Sequence, residues 1–170
     1  MTSEKSEKTT YELPIITPEM SLAAQAALID RLELEELDQD LYRGHNEPNR
    51  TGRIFGGQVA AQSLMAAGRT VNDLLAHSLH GYFLRAGDPD IPVIYTVDRI
   101  RDGRSFVTRR VVATQRGKAI FNMACSFHKF EEGLSHQMDM PDAPPPESVP
   151  QWAERIIPLW AKTPDRIKKV

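Results

Sequence analysis

"RIFGGQVAAQSLMAAGRTV", from Arg53 to Val71, is the stretch on which the fold turns. It has adjacent glycines near its start, two glutamines and a run of small apolar residues, and it contains no acidic residue. Its apolar positions recur all round a helical wheel, which predicts a helix that other structure must surround. From Gly57 to Val71 such a helix would be about 20 Å long at about 1.5 Å per residue. Ala60, Ala61, Ala66 and Ala67 would let a sheet approach it closely. Gly56 and Gly57 at its mouth permit unusual backbone angles and open the first N–H groups to a ligand oxygen at the positive end of the helix dipole. A plain tight turn explains the same pair, so on the residues alone both readings stand.

The surrounding structure is readable downstream. "HSLHGYFLRAG" (77–87), "IPVIYTVDRIR" (91–101), "RSFVTRRVVATQ" (104–115) and "KAIFNMACSFHKF" (118–130) are rich in β-branched and aromatic residues, which predicts antiparallel strands. Asp102-Gly103 is the stronger two-residue hairpin signal and Arg116-Gly117 the weaker. In the last strand Phe121, Met123, Cys125 and Phe127 fall on one face, and Asn122, Ser126 and His128 on the other, as when one face packs and the other meets water. Arg109 and Arg110 point to opposite faces, so one of them must find a carboxylate, a phosphate or the surface; a solvated arginine is the ordinary outcome.

The chain has 170 residues, 41% of them hydrophobic, enough for one domain with its own core. A net charge of -2 gives no bulk attraction to nucleic acid or an anionic membrane. The single cysteine, Cys125, excludes an internal disulfide, and no spacing of cysteines and histidines suggests a metal. The polar start lacks the apolar stretch of a signal peptide, no run is long enough to cross a bilayer, and a cytoplasmic location is expected. Residues 1–20 read as a flexible leader, 21–132 as the folded domain, and 133–170 as a proline-rich connector with a short helix, "QWAERIIPLWAK". Within the domain, "SLAAQAALIDRL" (21–32) predicts an amphipathic helix covering one edge. The second half of "LELEELDQDLYRG" predicts a first strand ending at Gly44.

A long apolar helix followed by antiparallel strands describes a hotdog fold, an α+β architecture in which a curved antiparallel sheet wraps a central helix. "RIFGGQVAAQSLMAA", the strand region through "FNMACSF" and "HQMDMPDAPPPE" together resemble the N-terminal half of the type II acyl-CoA thioesterases, bacterial and peroxisomal. The resemblance covers residues 33–150 and rests on several motifs in order with nearly unbroken spacing. It implies hydrolysis of a fatty acyl-CoA to free acid and coenzyme A, with no bound cofactor. It also implies that this single hotdog is half of a double one. The family's water-activating carboxylate, hydroxyl residue and glutamine belong to the second hotdog, and none has a counterpart here.

Hydrolysis by water needs a base. Hotdog enzymes that act as single domains resemble one another in carrying Asp or Glu on the central helix, where this chain has Gln58 and Gln62 in slots expected to be exposed. Glutamine orients water but takes no proton. His77 and His80 at the start of a strand are the remaining candidates for a base, with His77 favoured; a hydrogen-bonded strand-end histidine is the ordinary alternative. His45, His128 and His136 read as surface residues. No serine sits in a GxSxG setting, and Cys125 lies mid-strand on the apolar face, so no covalent nucleophile is expected. Gly56, Gly57 and Gln58 are the expected substrate contacts. Three functions follow: the architectural half of an acyl-CoA thioesterase, an active homo-oligomeric single hotdog, or a non-enzymatic acyl-CoA or acyl-carrier binding module. In each, a second hotdog or a second copy should cover the free sheet edge.

Overall fold

The computed structural model describes residues 17–46 and 52–150, together with Pro158, Leu159 and Lys162. The expected leader (1–20) therefore falls mostly outside the described residues, as does most of the expected helix "QWAERIIPLWAK". The described elements are α1 (Pro18–Leu32), β1 (Glu35–Asp38), β2 (Leu41–Gly44), α2 (Gly56–Gly68), β3 (Leu75–Phe83), β4 (Val93–Asp102), β5 (Phe106–Gln115) and β6 (Lys118–His128). Pro18–Gly133 forms one unit. Described by themselves, residues 134–150 hold no strand and only a 3-10 turn, Pro146–Ser148.

The strands make one antiparallel sheet in the order β1-β2-β4-β5-β6-β3. The register shifts at Glu36/Asp38, Ala76/Ser78, Arg99/Arg101 and Ala113/Thr114; bulges of this kind bend a strand and tighten its twist, which curls the sheet. Helix α2 lies on one face. Val93, Tyr95 and Val97 of β4, Val107, Val111 and Ala113 of β5, and Phe121, Met123, Cys125 and Phe127 of β6 meet Val59, Ala66 and Ala67 in the core. Period-two burial in β6 follows the expected split, with Asn122, Ser126 and His128 half-buried on the outer face.

Several local expectations change. The segment before Gly44 is a hairpin of two strands, because Asp40 adopts a left-handed φ of 60° and turns the chain. Asp102-Gly103 is not a two-residue hairpin: three residues separate β4 from β5, and Gly103 N–H donates to the Phe106 carbonyl at 3.0 Å. The two-residue turn is Arg116-Gly117, where φ values of 49° and 70° match the mirror-image turn that suits strand twist. Helix α2 ends at Gly68 and is surrounded on one side only; Met65 remains 37% exposed. Helix α1 starts at Pro18 and none of its residues is buried.

Of the two arginines, Arg109 is the buried one and finds a carboxylate, in place of the ordinary solvated outcome. It is 1% exposed on the helix face of β5. Its Nε donates to Thr70 Oγ1 at 2.6 Å, and its Nη2 donates to the Thr70 carbonyl at 3.1 Å and to the Asp102 carboxylate. Its Nη1 donates to the Arg101 carbonyl at 3.1 Å. A cation just past the C-terminus of α2 also complements the helix dipole. Arg110, on the outer face, pairs with Asp98 at 2.6 Å and stays exposed.

The two sheet edges differ. β1 is four residues long and carries Glu35, Glu36 and Asp38, the short charged edge that resists further pairing. β3 is nine residues long, has no charged residue of the Asp, Glu, Lys or Arg type, and exposes Leu75, Leu79, Tyr82 and Phe83.

Arg109→Ala should lower the unfolding free energy in a urea titration by about 3 kcal/mol, because it strips a buried hydrogen-bonded ion from its partners. Arg110→Ala should cost less than about 1 kcal/mol, as expected of a solvated pair. Equal losses would mean that Arg109 is not the anchor described.

Candidate functional site

The N-terminus of α2 forms the floor of a cleft of about 370 Å³ lined by Arg53, Ile54, Gly56, Val59, Phe83, Leu84, Arg85 and Phe121 among others. Ile54 N–H donates to the Gly87 carbonyl at 3.0 Å, tying the entry to α2 to the loop after β3. Gly56 packs closely on Phe83: a Cβ there would stand 2.9 Å from its exposed ring, which would have to shift. The lining is apolar apart from Arg53 and Arg85 and includes no carboxylate. Gly57 is exposed. The N–H of Gln58, one of the first in the helix, donates to the Phe55 carbonyl at 3.0 Å and is engaged within the turn.

The glutamines of α2 behave differently from each other. Gln62 is fully buried, which corrects its expected place in an exposed slot. Its Nε2 donates to the Arg31 carbonyl at 2.7 Å and the His45 carbonyl at 3.2 Å, and its Oε1 accepts from Tyr95 OH at 2.6 Å. Its hydrogen-bonding capacity is spent on joining α1, the end of β2 and β4. Burial pushes the Tyr95 hydroxyl pKa well above its ordinary range, so it stays a donor. Gly44 allows this network, because a Cβ there would lie 2.8 Å from Gln62 Oε1. Gln58 is half-buried, and its Nε2 donates to Asn46 Oδ1 at 2.9 Å.

His77 lies elsewhere. Its Nε2 is 2.9 Å from Ser126 Oγ, and its ring meets His128 at 4.7 Å and Phe106 at 5.8 Å between centroids. Ser126 and His128 alternate with the buried Cys125 and Phe127 on β6, so this cluster occupies the outer face, opposite α2. His80 pairs edge-on with Tyr82 on the same outer face, beside Ala124 and Asn122 of β6. Of the expected substrate contacts, Gly56 lines the cleft, whereas Gly57 and Gln58 are not among its lining residues and Gln58 turns to Asn46; both histidines lie on the other side of the sheet.

Other nucleophiles are occupied. Burial pushes the Cys125 thiol up to about 11, and its Sγ sits 3.8 Å from the Arg109 carbonyl. Ser63 is buried and donates back to the Val59 carbonyl at 2.8 Å. Among the described residues there is no group of three or more His, Cys, Asp and Glu placed to hold a metal ion. No described helix is long and apolar enough to cross a membrane.

Residues reasoning from sequence passed over are Tyr95 and Arg85. The signal for Tyr95 was its position between Val93 and Val97 at period two; Arg85 follows the strand in a loop, with no pattern to mark it.

The family model for the acyl-CoA thioesterase N-terminal domain matches residues 45–128. Acyl-coenzyme A thioesterase 8 of Mus musculus is 48% identical over 141 residues, covering 81% of this chain and 44% of that protein. Acyl-CoA thioesterase 2 of Haemophilus influenzae is 40% identical over 121 residues, 71% of this chain and 42% of its own length. The chain thus spans less than half the length of these relatives. The crystal structure of acyl-CoA thioesterase II TesB2 from Mycobacterium marinum superposes with a TM-score of 0.64 at 51% identity, over 71% of this chain and 45% of that one. With the hotdog architecture above, these likenesses establish that the chain belongs to the type II acyl-CoA thioesterase family, in which it corresponds to the N-terminal hotdog.

Proposed function

We propose that this chain serves fatty acyl-CoA hydrolysis as the architectural, substrate-holding half of the enzyme, completed by a second hotdog or a second copy docked along β3. The observation that carries this reading is an apolar cleft without a carboxylate, set beside a long uncharged sheet edge. The cleft suits an acyl or pantetheine arm. Lacking a base, it holds a thioester without activating water. An edge strand exposing Leu75, Leu79, Tyr82 and Phe83 is what a neighbouring strand would cover. The half-open side of α2 would be covered by the same event.

The reading puts the thioester at the end of the cleft, against Gly56 and toward the exposed Gly57 and the half-buried Gln58 that follow it. The nearest atoms a Cβ at Gly57 would meet are those of the Phe55 ring, at 2.4 Å, and that ring is 77% exposed and can give way. Gly57→Val should therefore keep the fold while weakening binding of a non-hydrolysable acyl-CoA by roughly tenfold in calorimetry. Unchanged affinity would remove the site.

Docking is tested by sedimentation. The chain should self-associate at micromolar concentration, and Leu79→Lys should shift it to monomer with little change in melting temperature, since Leu79 is 51% exposed. A wild-type chain that stays monomeric would count against β3 as an interface.

Catalysis is tested by thiol release from palmitoyl-CoA. The chain alone should turn over poorly, because general-base assistance worth about a hundred- to ten-thousand-fold is missing. Adding a matching second hotdog should restore activity, and His77→Ala should leave it within about threefold, as its ring faces away from the cleft. Ordinary turnover by the chain alone, abolished by His77→Ala, would make His77 the base and end the architectural reading. Binding without restored activity would favour the acyl-CoA binding module.

A further inference from the structure

We propose that the phosphate-bearing nucleotide end of coenzyme A binds in a second cleft beside the first, against Arg85, Arg116 and Lys118; this rests on the acyl-CoA reading above. The second cleft, of about 210 Å³, lies between the loop after β3 and the β5–β6 turn. Arg85, Ala86 and Ile120 line both clefts, so the two share a wall. Their chemistry differs. The first has Arg53 and Arg85 among apolar residues; the second, with a largely apolar wall of its own, adds Arg116 and Lys118 to the shared Arg85, with the Asp88 carboxylate beside them.

An acyl-CoA changes in character along its length. Its acyl chain and pantetheine arm are largely apolar, and its other end carries a diphosphate and a 3′-phosphate. Laid with the thioester at Gly56 and Gly57, the arm would cross the shared wall under Arg85, and the phosphates would reach the three cations. Guanidinium groups suit this task, because their forked donors match phosphate oxygens in pairs.

The cationic cleft is held in shape by the fold. The buried Gln115 accepts from Asp88 N–H at 2.8 Å and donates to the carbonyls of Asp88 at 2.9 Å and Ile91 at 2.6 Å, which pins the loop. The tight Arg116-Gly117 turn fixes the opposite wall. Arg85 Nη1 donates to the Ala119 carbonyl at 2.7 Å and so keeps its guanidinium at the boundary of the two clefts. Asp88 neutralises only part of this charge: its contact with Arg116 is long, 3.4 Å, and both side chains are exposed. A phosphate would displace that pairing as the stronger anion.

The experiment compares a thioether analogue of an acyl-CoA with the matching S-alkyl pantetheine, which has no phosphate, by calorimetry on the full chain. Wild type should bind the coenzyme A compound at least roughly tenfold tighter at low salt, and added salt should shrink that advantage. The Arg116→Gln/Lys118→Gln double variant should lose most of the advantage and keep its affinity for the pantetheine compound. Arg85→Gln should do the same, and the double variant carries the test if Arg85→Gln lowers the melting temperature. Arg110→Gln, on the outer face, should bind as wild type. Adenosine 3′,5′-bisphosphate should compete with the coenzyme A compound and not with the pantetheine one. If wild type binds both compounds equally, or the variants keep the full advantage, the second cleft is overturned and the acyl-CoA reading stands. If wild type binds neither compound, both fall.

Discussion

A thirteen-residue helix without an acidic side chain must be kept largely out of water, and the sheet supplies cover for only one side of it. Everything else follows from how that cover is arranged. The sheet curls because bulges in three of its pairings bring successive strands round the helix axis. Ala66 and Ala67 are fully buried where the strands come nearest, and larger residues there would push the sheet away. Dispersion and apolar burial hold the pair together, but neither fixes how far the helix slides along the sheet.

Polar groups fix that position. Gln62 joins the helix to β4 and to the end of β2, and Arg109 joins the residue past its C-terminus to β5 and to Asp102. Each is buried, and each would leave several donors or acceptors unsatisfied if the helix moved by a turn, at about 1–3 kcal/mol for each orphaned group. One anchor sits at the middle of the helix and the other just past its C-terminus, so together they set register and direction. Gln115 does the same service for the loop that walls the cleft. Residues that look like candidates for chemistry in the sequence are thus spent on geometry, and the cleft is left with glycine backbone, apolar walls and arginine.

The helix and the four long strands were legible because their signal is the apolar period itself, repeated over ten or so residues each. Gln62 and Arg109 were misjudged for a common reason. A polar residue at a core-facing position is read as solvated unless its partner is known, and the partners here, Tyr95 and Thr70, are 33 and 39 residues away in sequence. The β1–β2 hairpin was missed because its turn uses Gln39 and Asp40 without glycine. The tightest turn was underrated because Arg116 accepts a left-handed φ that side chains seldom adopt. His77 shows a subtler limit. It sits in the bulge between Ala76 and Ser78, where counting by twos fails, so no pattern in the sequence could tell which face its ring would take.

That face matters for the proposed architectural role. A base must reach the thioester through hydrogen-bond distance, and the outer-face cluster of His77, Ser126 and His128 is separated from the cleft by the sheet. Placing a carboxylate on α2 would meet a second obstacle. Position 62 is sealed and its oxygen already accepts from Tyr95, so an ionised side chain there would exchange a satisfied amide for a buried charge. Position 58 is half-buried and turned toward Asn46. The network that locks the helix in the sheet therefore leaves little room for a base on this hotdog.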